Sequence, residues 1–281
     1  MPTTQIDQIL ASVDKMRPMP TSITRILNAL DDPNNTAGVI SDLIGLDQAL
    51  AASVLQMANS ASMGFSFVCS SISDAVMRLG FKRIKNLVLG AASSGPLTRR
   101  LNGYRLGAGE LWNHSVATAT IAQWISRFLH YPDPEEAYVA GLLHDMGKLI
   151  LDQYMNVDYM RILELMRNYD LALWQVEEKL LGIDHSAVGS LMAQKWNFPP
   201  ILVEAIRYHH APSFAKTKPT LGAIINIANA FSKNATYALL DPHGQRVHPE
   251  AMNILGMDEP QLNRMRELVL EYQFSNSSRP Q

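Results

Sequence analysis

The sequence has few of the features that would place it outside the cytoplasm. Cys69 is the one cysteine among 281 residues, so no disulfide framework can form within the chain, as expected in a reducing compartment. No apolar run approaches the roughly 18 residues that a membrane-spanning helix needs. Residues 1–16 lack a basic segment followed by an apolar stretch, so they do not resemble a secretory signal. We therefore expect a cytoplasmic protein without a membrane segment.

A surplus of charge of either sign is also missing. The formal net charge is −2 and the pI is near 6.4, so the protein has no general attraction to nucleic acid or to anionic membranes. We expect no direct nucleic acid binding. Hydrophobic residues make up 47% of the chain and charged residues 18%, which is typical of a globular protein with a substantial core.

Alternation with a period of two residues, the signal of a strand, is scarce. Segments 21–30 and 36–47 carry apolar residues at helical spacing, and Thr36 is placed to cap the second segment. Segment 71–93 predicts two short helices that break at Gly80. Asp133, with a proline directly after it, predicts the start of a further helix. The fold class predicted is all-α.

A stretch rich in Gly and Ser, "SSGPLTRRLNGYRLGAG" at 93–109, divides the helical pattern. Such composition is typical of a boundary between compact parts of a chain. We predict an N-terminal helical lobe over 1–107 and a C-terminal helical lobe over 108–281.

Five of the eight histidines fall at or near predicted helix ends in the second lobe, and one aspartate accompanies them. They are His114, His144, Asp145, His185, His209 and His210. Imidazole and carboxylate groups suit Zn, Fe, Mn or Ni. One ion needs three or four such groups, whereas two ions need a carboxylate to bridge them. The residues alone leave open that these are solvated or hydrogen-bonded histidines, or imidazoles stabilised by a helix C-terminus.

Two charged residues near these histidines have a functional and a structural interpretation. Lys148, in "HDMGK", could neutralise charge on a phosphate, or could be a surface lysine at a helix start. Glu110 lies four residues before His114 and shares its helical face, although a solvated carboxylate in a first turn is the favoured interpretation. The remaining histidines, His130, His243 and His248, receive no function.

The order of four motifs points to a family. "NHS", "GLLHDMGK", "DHSAVG" and "YHH" follow one another along the chain, and this order resembles the HD superfamily of metal-dependent phosphohydrolases. The first lobe, with "LIGLDQALAASVLQMANSA" and "SISDAVMRLGFKRIKNLVL", is similar to the HDOD family, the HD-related output domain. The resemblance implies an all-helical regulatory output module of bacterial signalling, related to cyclic di-GMP phosphodiesterases of HD-GYP type.

The resemblance also implies two metal positions. In the related enzymes the first His, the His-Asp pair and a late Asp hold one ion, which corresponds here to His114, His144 and Asp145. Asn229 stands where the late Asp is expected, and a neutral amide is a weaker ligand than a carboxylate. The second ion would be held by Asp145 with three further histidines. These are His185, His209 and His210.

Three functions follow as expectations. The first is a signalling module that binds a signalling protein or a small phosphorylated ligand through a retained or partly degenerate site for one or two divalent transition metal ions. The second is an active phosphohydrolase on a nucleotide or other phosphoester, with Asp145 and Lys148 as catalytic residues. The third is a helical scaffold. "HHAPSFAKTKPT" lacks the Gly-Tyr-Pro segment of the HD-GYP signature, which argues against cyclic di-GMP hydrolysis by that route.

Overall fold

The regular elements of the described residues are helices, joined by short turns. The computed structural model describes residues 4–16, 18–60, 68–155, 159–232 and 246–277, and at 156–160 and 273–281 no side chain is described. The helices are α1 (Gln5–Asp14), α2 (Thr21–Asp31), α3 (Ala37–Gly45), α4 (Gln48–Ala58), α5 (Ile72–Thr98), α6 (Glu110–Phe128), α7 (Pro134–Leu143), α8 (Lys148–Leu151), α9 (Tyr159–Tyr169), α10 (Leu173–Leu181), α11 (His185–Lys195), α12 (Pro200–Tyr208), α13 (Pro219–Ser232), α14 (Pro249–Leu255) and α15 (Glu259–Ser277). The all-α prediction is confirmed.

The chain forms two compact units. One unit covers residues 17–95. The other, which we call the C-terminal unit, combines residues 1–16 with residues 96–281. The helix α1, which begins at a capping box between Thr4 and Asp7, therefore belongs to the C-terminal unit, as do residues 96–107. The boundary after residue 107 stays a prediction, because compact units and domains need not coincide.

In the unit of residues 17–95, apolar faces predicted from helical spacing form the core. Ile23 and Ile26 of α2 are buried, as are Ile40 and Ile44 of α3. The predicted break at Gly80 is present, since this glycine has φ 74° inside α5 and residues of L configuration rarely adopt that angle. The two helical segments on either side of Gly80 therefore meet at a kink.

Asn59 follows the last residue of α4 and joins it to Cys69. Its side chain donates to the Cys69 carbonyl and accepts from the Cys69 N–H. The predicted irregular stretch at 93–109 is wrong over its first part, because α5 continues to Thr98. Leu97 is buried in this last turn of α5. Packing of Leu97 therefore stabilises a helical turn that the Gly and Ser residues of the segment did not predict.

In the C-terminal unit, α6 and α7 pack closely and carry two of the predicted ligands. Gly141 of α7 lies so close to α6 that an added Cβ would come within 2.8 Å of the Ala119 Cα. Asp133 caps α7 through the Glu136 N–H, and Pro134 follows it, as predicted. This close crossing places the C-terminal end of α7 beside the first half of α6. Among the described helices, none is long and apolar enough to cross a membrane.

Candidate metal centre

The six predicted ligands come from ends or faces of different helices of the C-terminal unit. His114 lies on the buried face of α6, and His144 and Asp145 follow α7 directly. His185 is the first residue of α11, which Asp184 caps. The remaining two, His209 and His210, follow the last residue of α12. The structure brings these six side chains into one cluster around Asp145.

The carboxylate of Asp145 is the centre of this cluster, and its two oxygens face different groups. On one side, Asp145 Oδ2 lies 3.5 Å from His114 Nε2, 3.4 Å from His144 Nε2 and 2.6 Å from Lys148 Nζ. We call these three residues the Oδ2 side.

The other oxygen, Asp145 Oδ1, lies 3.1 Å from His185 Nε2 and 4.0 Å from His209 Nε2. His210 Nε2 is 3.0 Å from His185 Nε2. We call these three histidines the Oδ1 side. Two groups of residues could each hold an ion. One is His114, His144 and Asp145, and the other is the three histidines of the Oδ1 side. Within each group, the ligand atoms lie within 4.8 Å of one another.

Hydrogen bonds at Nδ1 fix the orientation of two of the imidazole rings. His144 Nδ1 is 2.7 Å from the Gly141 carbonyl, and His209 Nδ1 is 2.8 Å from the Ile206 carbonyl. A carbonyl can only accept, so each Nδ1 must carry the proton, and Nε2 is the ring nitrogen that is left to offer a lone pair. This is the arrangement in which a histidine binds a metal through Nε2.

His185 is held by a buried carboxylate that the sequence did not single out. Glu177 Oε2 accepts a bond from His185 Nδ1 at 2.6 Å and another from the His185 backbone N–H at 2.7 Å. Its other oxygen accepts from the Tyr104 hydroxyl at 2.8 Å. Glu177 is 0% exposed and Tyr104 is 4% exposed. A carboxylate behind a ligating imidazole increases the basicity of that ligand and fixes its ring.

Burial and neighbouring charges shift the pKa values of the cluster in different directions. Burial lowers the pKa of His114 to about 3 and that of His209 well below its usual range. Burial opposes the charge on Asp145, but His144 and Lys148 outweigh it and hold the pKa of that carboxyl well below its usual value. His114 and His209 are therefore neutral near pH 7, and Asp145 is an anion.

His185 differs from the other two shifted histidines. Burial disfavours its charged form, yet the Glu177 carboxylate outweighs burial and raises the pKa of His185 to about 9. The ring of His185 therefore lies between two buried carboxylates, Asp145 and Glu177. Two carboxylates at one imidazole favour a positive charge there, either a proton on the ring or a bound cation.

Backbone packing fixes the distance between α11 and the turn that carries Asp145. A Cβ at Gly147 would overlap the carbonyl oxygen of His185 and lie 2.6 Å from the Gly189 N atom. Only a glycine fits between these two backbone segments. The glycine of "HDMGK" is therefore needed to bring His185 up to Asp145.

Buried polar atoms of the cluster and of α13 make no hydrogen bond to any described residue. They include the Nε2 atoms of His144 and His209 and, on α13, the Oδ1 atom of Asn229. Buried nitrogens and oxygens of this kind nearly always have a partner. Imidazoles grouped around a shared carboxylate fit a divalent transition metal, so the His/Asp groups could hold such an ion. The donor set does not identify the metal.

The other predicted residues have more local roles. Lys148 is 6% exposed, so the interpretation as a surface lysine is wrong. Glu110 accepts a bond from the Gly107 N–H at 2.7 Å, a local turn contact. His130 is exposed in a turn after α6, and His248 caps α14. His243 lies outside the described residues.

Asn229 lies on the buried face of α13, where a carboxylate was expected. Its backbone carbonyl accepts a bond from Ser232. The Ser232 hydroxyl also lies 3.3 Å from His114 Nδ1. Asn229 is 4% exposed. The neutral amide therefore stands within one helical turn of a residue that contacts the Oδ2 side.

Two solved structures have a similar fold. An HDOD domain protein of unknown function from Geobacter sulfurreducens has a TM-score of 0.67 and 24% identity, with 94% of this chain and 96% of that chain covered. A protein from Shewanella amazonensis SB2B named as a candidate phosphohydrolase has a TM-score of 0.68 and 25% identity, with 94% and 93% covered. Both cover nearly the whole chain.

A curated relative and a family model match this chain at the level of sequence. An uncharacterized protein of Treponema pallidum (strain Nichols) is 26% identical over 212 residues, which is 74% of this chain. This chain spans only 40% of that protein's length. The HDOD domain matches residues 16–212, which include every residue of the cluster around Asp145. The chain belongs to the HDOD family.

Proposed function

We propose that this chain is a cytoplasmic output module of bacterial signal transduction that holds a divalent transition metal, Fe, Mn, Zn or Ni, at the cluster around Asp145. The observation that carries the proposal is that four imidazoles lie within 4.0 Å of one buried carboxylate, on both of its oxygens, and that a fifth imidazole, His210, adjoins His185. Membership of a family of regulatory output domains supports the signalling role. The partner is a signalling protein or a small phosphorylated ligand.

The His and Asp residues of the cluster would hold the ion, and the ion would act as a Lewis acid that polarises a phosphoryl oxygen. The residues of the chain have separate roles in this site. His144 and His209 present oriented lone pairs, and Glu177 fixes the ring of His185. Lys148 adds a positive charge near the oxygen Asp145 Oδ2. A phosphorylated ligand would meet a cationic, mostly buried site.

Two features of the sequence support binding rather than turnover. Asn229 supplies a neutral amide where the related enzymes have a carboxylate. The residues after His210, "APSFAKTKPT", contain neither the acidic residue nor the Gly-Tyr-Pro segment of the HD-GYP signature. Both changes remove groups that the related phosphodiesterases use, so we expect the module to bind its ligand without hydrolysing it.

The second candidate function is metal-dependent phosphohydrolysis, with Asp145 and Lys148 as catalytic residues. One observation favours it, namely that ligand groups lie on both sides of Asp145, as a site for two ions would require. The Shewanella amazonensis protein, which is 25% identical to this chain, carries a phosphohydrolase name, in agreement with this candidate function. The substrate would be a nucleotide or another phosphoester.

Replacing Asp145 with asparagine is expected to lower metal affinity by about 100-fold or more, since even outer groups around a metal contribute up to that much. The purified full chain would be incubated with Mn²⁺, dialysed and analysed for metal. His130→Asn is the matched control, because His130 is exposed and has φ 53°, which asparagine tolerates. Equal metal in wild type and Asp145→Asn would contradict the proposal.

The same samples distinguish the two candidate functions. With Mn²⁺ present, we expect the wild type to hydrolyse bis(p-nitrophenyl) phosphate no faster than the Asp145→Asn variant does. Turnover that depends on Mn²⁺, disappears in Asp145→Asn and persists in His130→Asn would establish the phosphohydrolase instead. A circular dichroism melt of each variant would show whether it is folded.

A further inference from the structure

Two residues of the candidate metal centre, His209 and His210, are neighbours in the chain. They follow the last residue of α12, and one planar peptide unit joins their Cα atoms. A rotation of this unit changes the direction of both side chains at once. Two adjacent imidazoles therefore stay directed at one ion only while the peptide unit between them keeps a single orientation.

The rings of these two histidines have contacts of their own. His209 Nδ1 is 2.8 Å from the Ile206 carbonyl. The His210 ring stacks on the Trp174 ring, with 5.6 Å between the centroids and 12° between the planes. These contacts restrict the rotation of each ring about its side-chain bonds. The backbone from which both side chains leave needs a contact of a different kind.

Asn226 of α13 supplies this contact to the backbone. Its side-chain NH₂ group donates to the His209 carbonyl at 2.8 Å, and its side-chain oxygen accepts from the His248 backbone N–H at 2.9 Å. A carbonyl can only accept and a backbone N–H can only donate, so the two bonds together fix which way round the amide stands. Asn226 is 7% exposed, so little water competes for these bonds.

We propose that Asn226 is a positioning residue of the metal centre. Its amide holds the oxygen of the peptide unit between His209 and His210 and thereby keeps both imidazoles directed at the same ion. Groups that orient the ligands without touching the metal strongly affect the affinity of such sites. The inference rests on the proposed function, because it requires that these two histidines bind metal.

Two variants each break one of the two bonds of this amide. Asn226→Asp keeps an oxygen for the His248 N–H but turns a second oxygen towards the His209 carbonyl, and two acceptors repel each other. We expect its affinity for Mn²⁺ to fall about 10–100-fold. His248→Pro removes the other N–H, at a residue whose φ of −67° suits proline. It leaves the bond to His209 in place, so its affinity should stay within about threefold of wild type.

Isothermal titration of the full chain with Mn²⁺ would measure these affinities. Asn226→Ser, which is neutral, should lose as much affinity as Asn226→Asp, which would show that the new charge is not the cause. The visible spectrum at saturating Co²⁺ should change in both Asn226 variants and stay as in wild type in His248→Pro. A general loss of stability would not alter this spectrum, because it reports the arrangement of ligands around a bound ion.

Several results would overturn the role given to Asn226. They are wild-type affinity or a wild-type spectrum in the Asn226 variants, equal losses in His248→Pro, and failure of both Asn226 variants to fold in a circular dichroism melt, which would show that Asn226 supports the fold as a whole. A wild type that binds neither Mn²⁺ nor Co²⁺ would contradict the proposed function itself. A wild type that binds metal, with Asn226 variants that bind it equally well, would contradict only the positioning role.

Discussion

Replacing Gly147 with alanine is expected to separate α11 from the turn that carries Asp145. The new methyl group would overlap the His185 carbonyl oxygen and press against the Gly189 N atom, and both belong to backbone that cannot rotate away. Overpacking of this kind costs about 1–3 kcal/mol, and more where backbone must move. Moving His185 would also remove one ligand from the Oδ1 side, so metal affinity should fall by at least about 100-fold.

Gly38→Ala is the matched control for this substitution. Gly38 lies in α3, and an added Cβ would lie 3.6 Å from the Thr36 Oγ1, an ordinary van der Waals distance. Alanine is favoured over glycine in a helix, so this variant should be as stable as the wild type or more stable by up to about 1 kcal/mol. Urea unfolding and a metal titration would measure both effects. Metal affinity in Gly147→Ala within about threefold of wild type would contradict the role given to this glycine.

Replacing Glu177 with glutamine is expected to lower metal affinity by about 10–100-fold. Glu177 accepts three bonds, two from His185 and one from the Tyr104 hydroxyl. The amide of glutamine has one oxygen and one NH₂ group, so one side of it would present a donor to a donor. His185 would lose the bond that fixes its ring, or Tyr104 would lose its acceptor.

Tyr104→Phe separates these two effects. It leaves both bonds between Glu177 and His185 in place and removes only the hydroxyl at the second oxygen. Its metal affinity should therefore stay within about threefold of wild type, whereas that of Glu177→Gln should not. Isothermal titration with Mn²⁺ would compare the two variants. Equal losses in both would show that Glu177 acts through general packing and does not position His185.

The residues of the cluster could be predicted because their motifs stand in a recognisable order. Spacing along the chain could not do this, since His114 and His210 lie far apart in sequence and meet only through the packing of several helices. Helical faces such as that of Ile23 and Ile26, the break at Gly80 and the cap at Asp133 followed from local rules. These features depend on neighbours within one or two turns.

Glu177 could not be recognised from the sequence. It is one of two adjacent glutamates in "VEEKLL", and such a pair usually marks a solvated helix face. Only tertiary packing shows that Glu177 is fully buried against His185, whereas Glu178 is exposed. The ion pair of Lys148 was missed for the same reason, because the distance between Lys148 and Asp145 depends on the backbone of the turn between α7 and α8. Charges that become buried through long-range contacts carry no local signal.

Anomalous X-ray diffraction from crystals of the full chain grown with Mn²⁺ tests the central claim, that the cluster around Asp145 is a metal centre. An anomalous difference map should show a peak at bonding distance, about 2.0–2.2 Å, from an Asp145 oxygen and from imidazole nitrogens of the cluster. Saturating metal with no peak at Asp145 or at any of its five histidines would contradict the account.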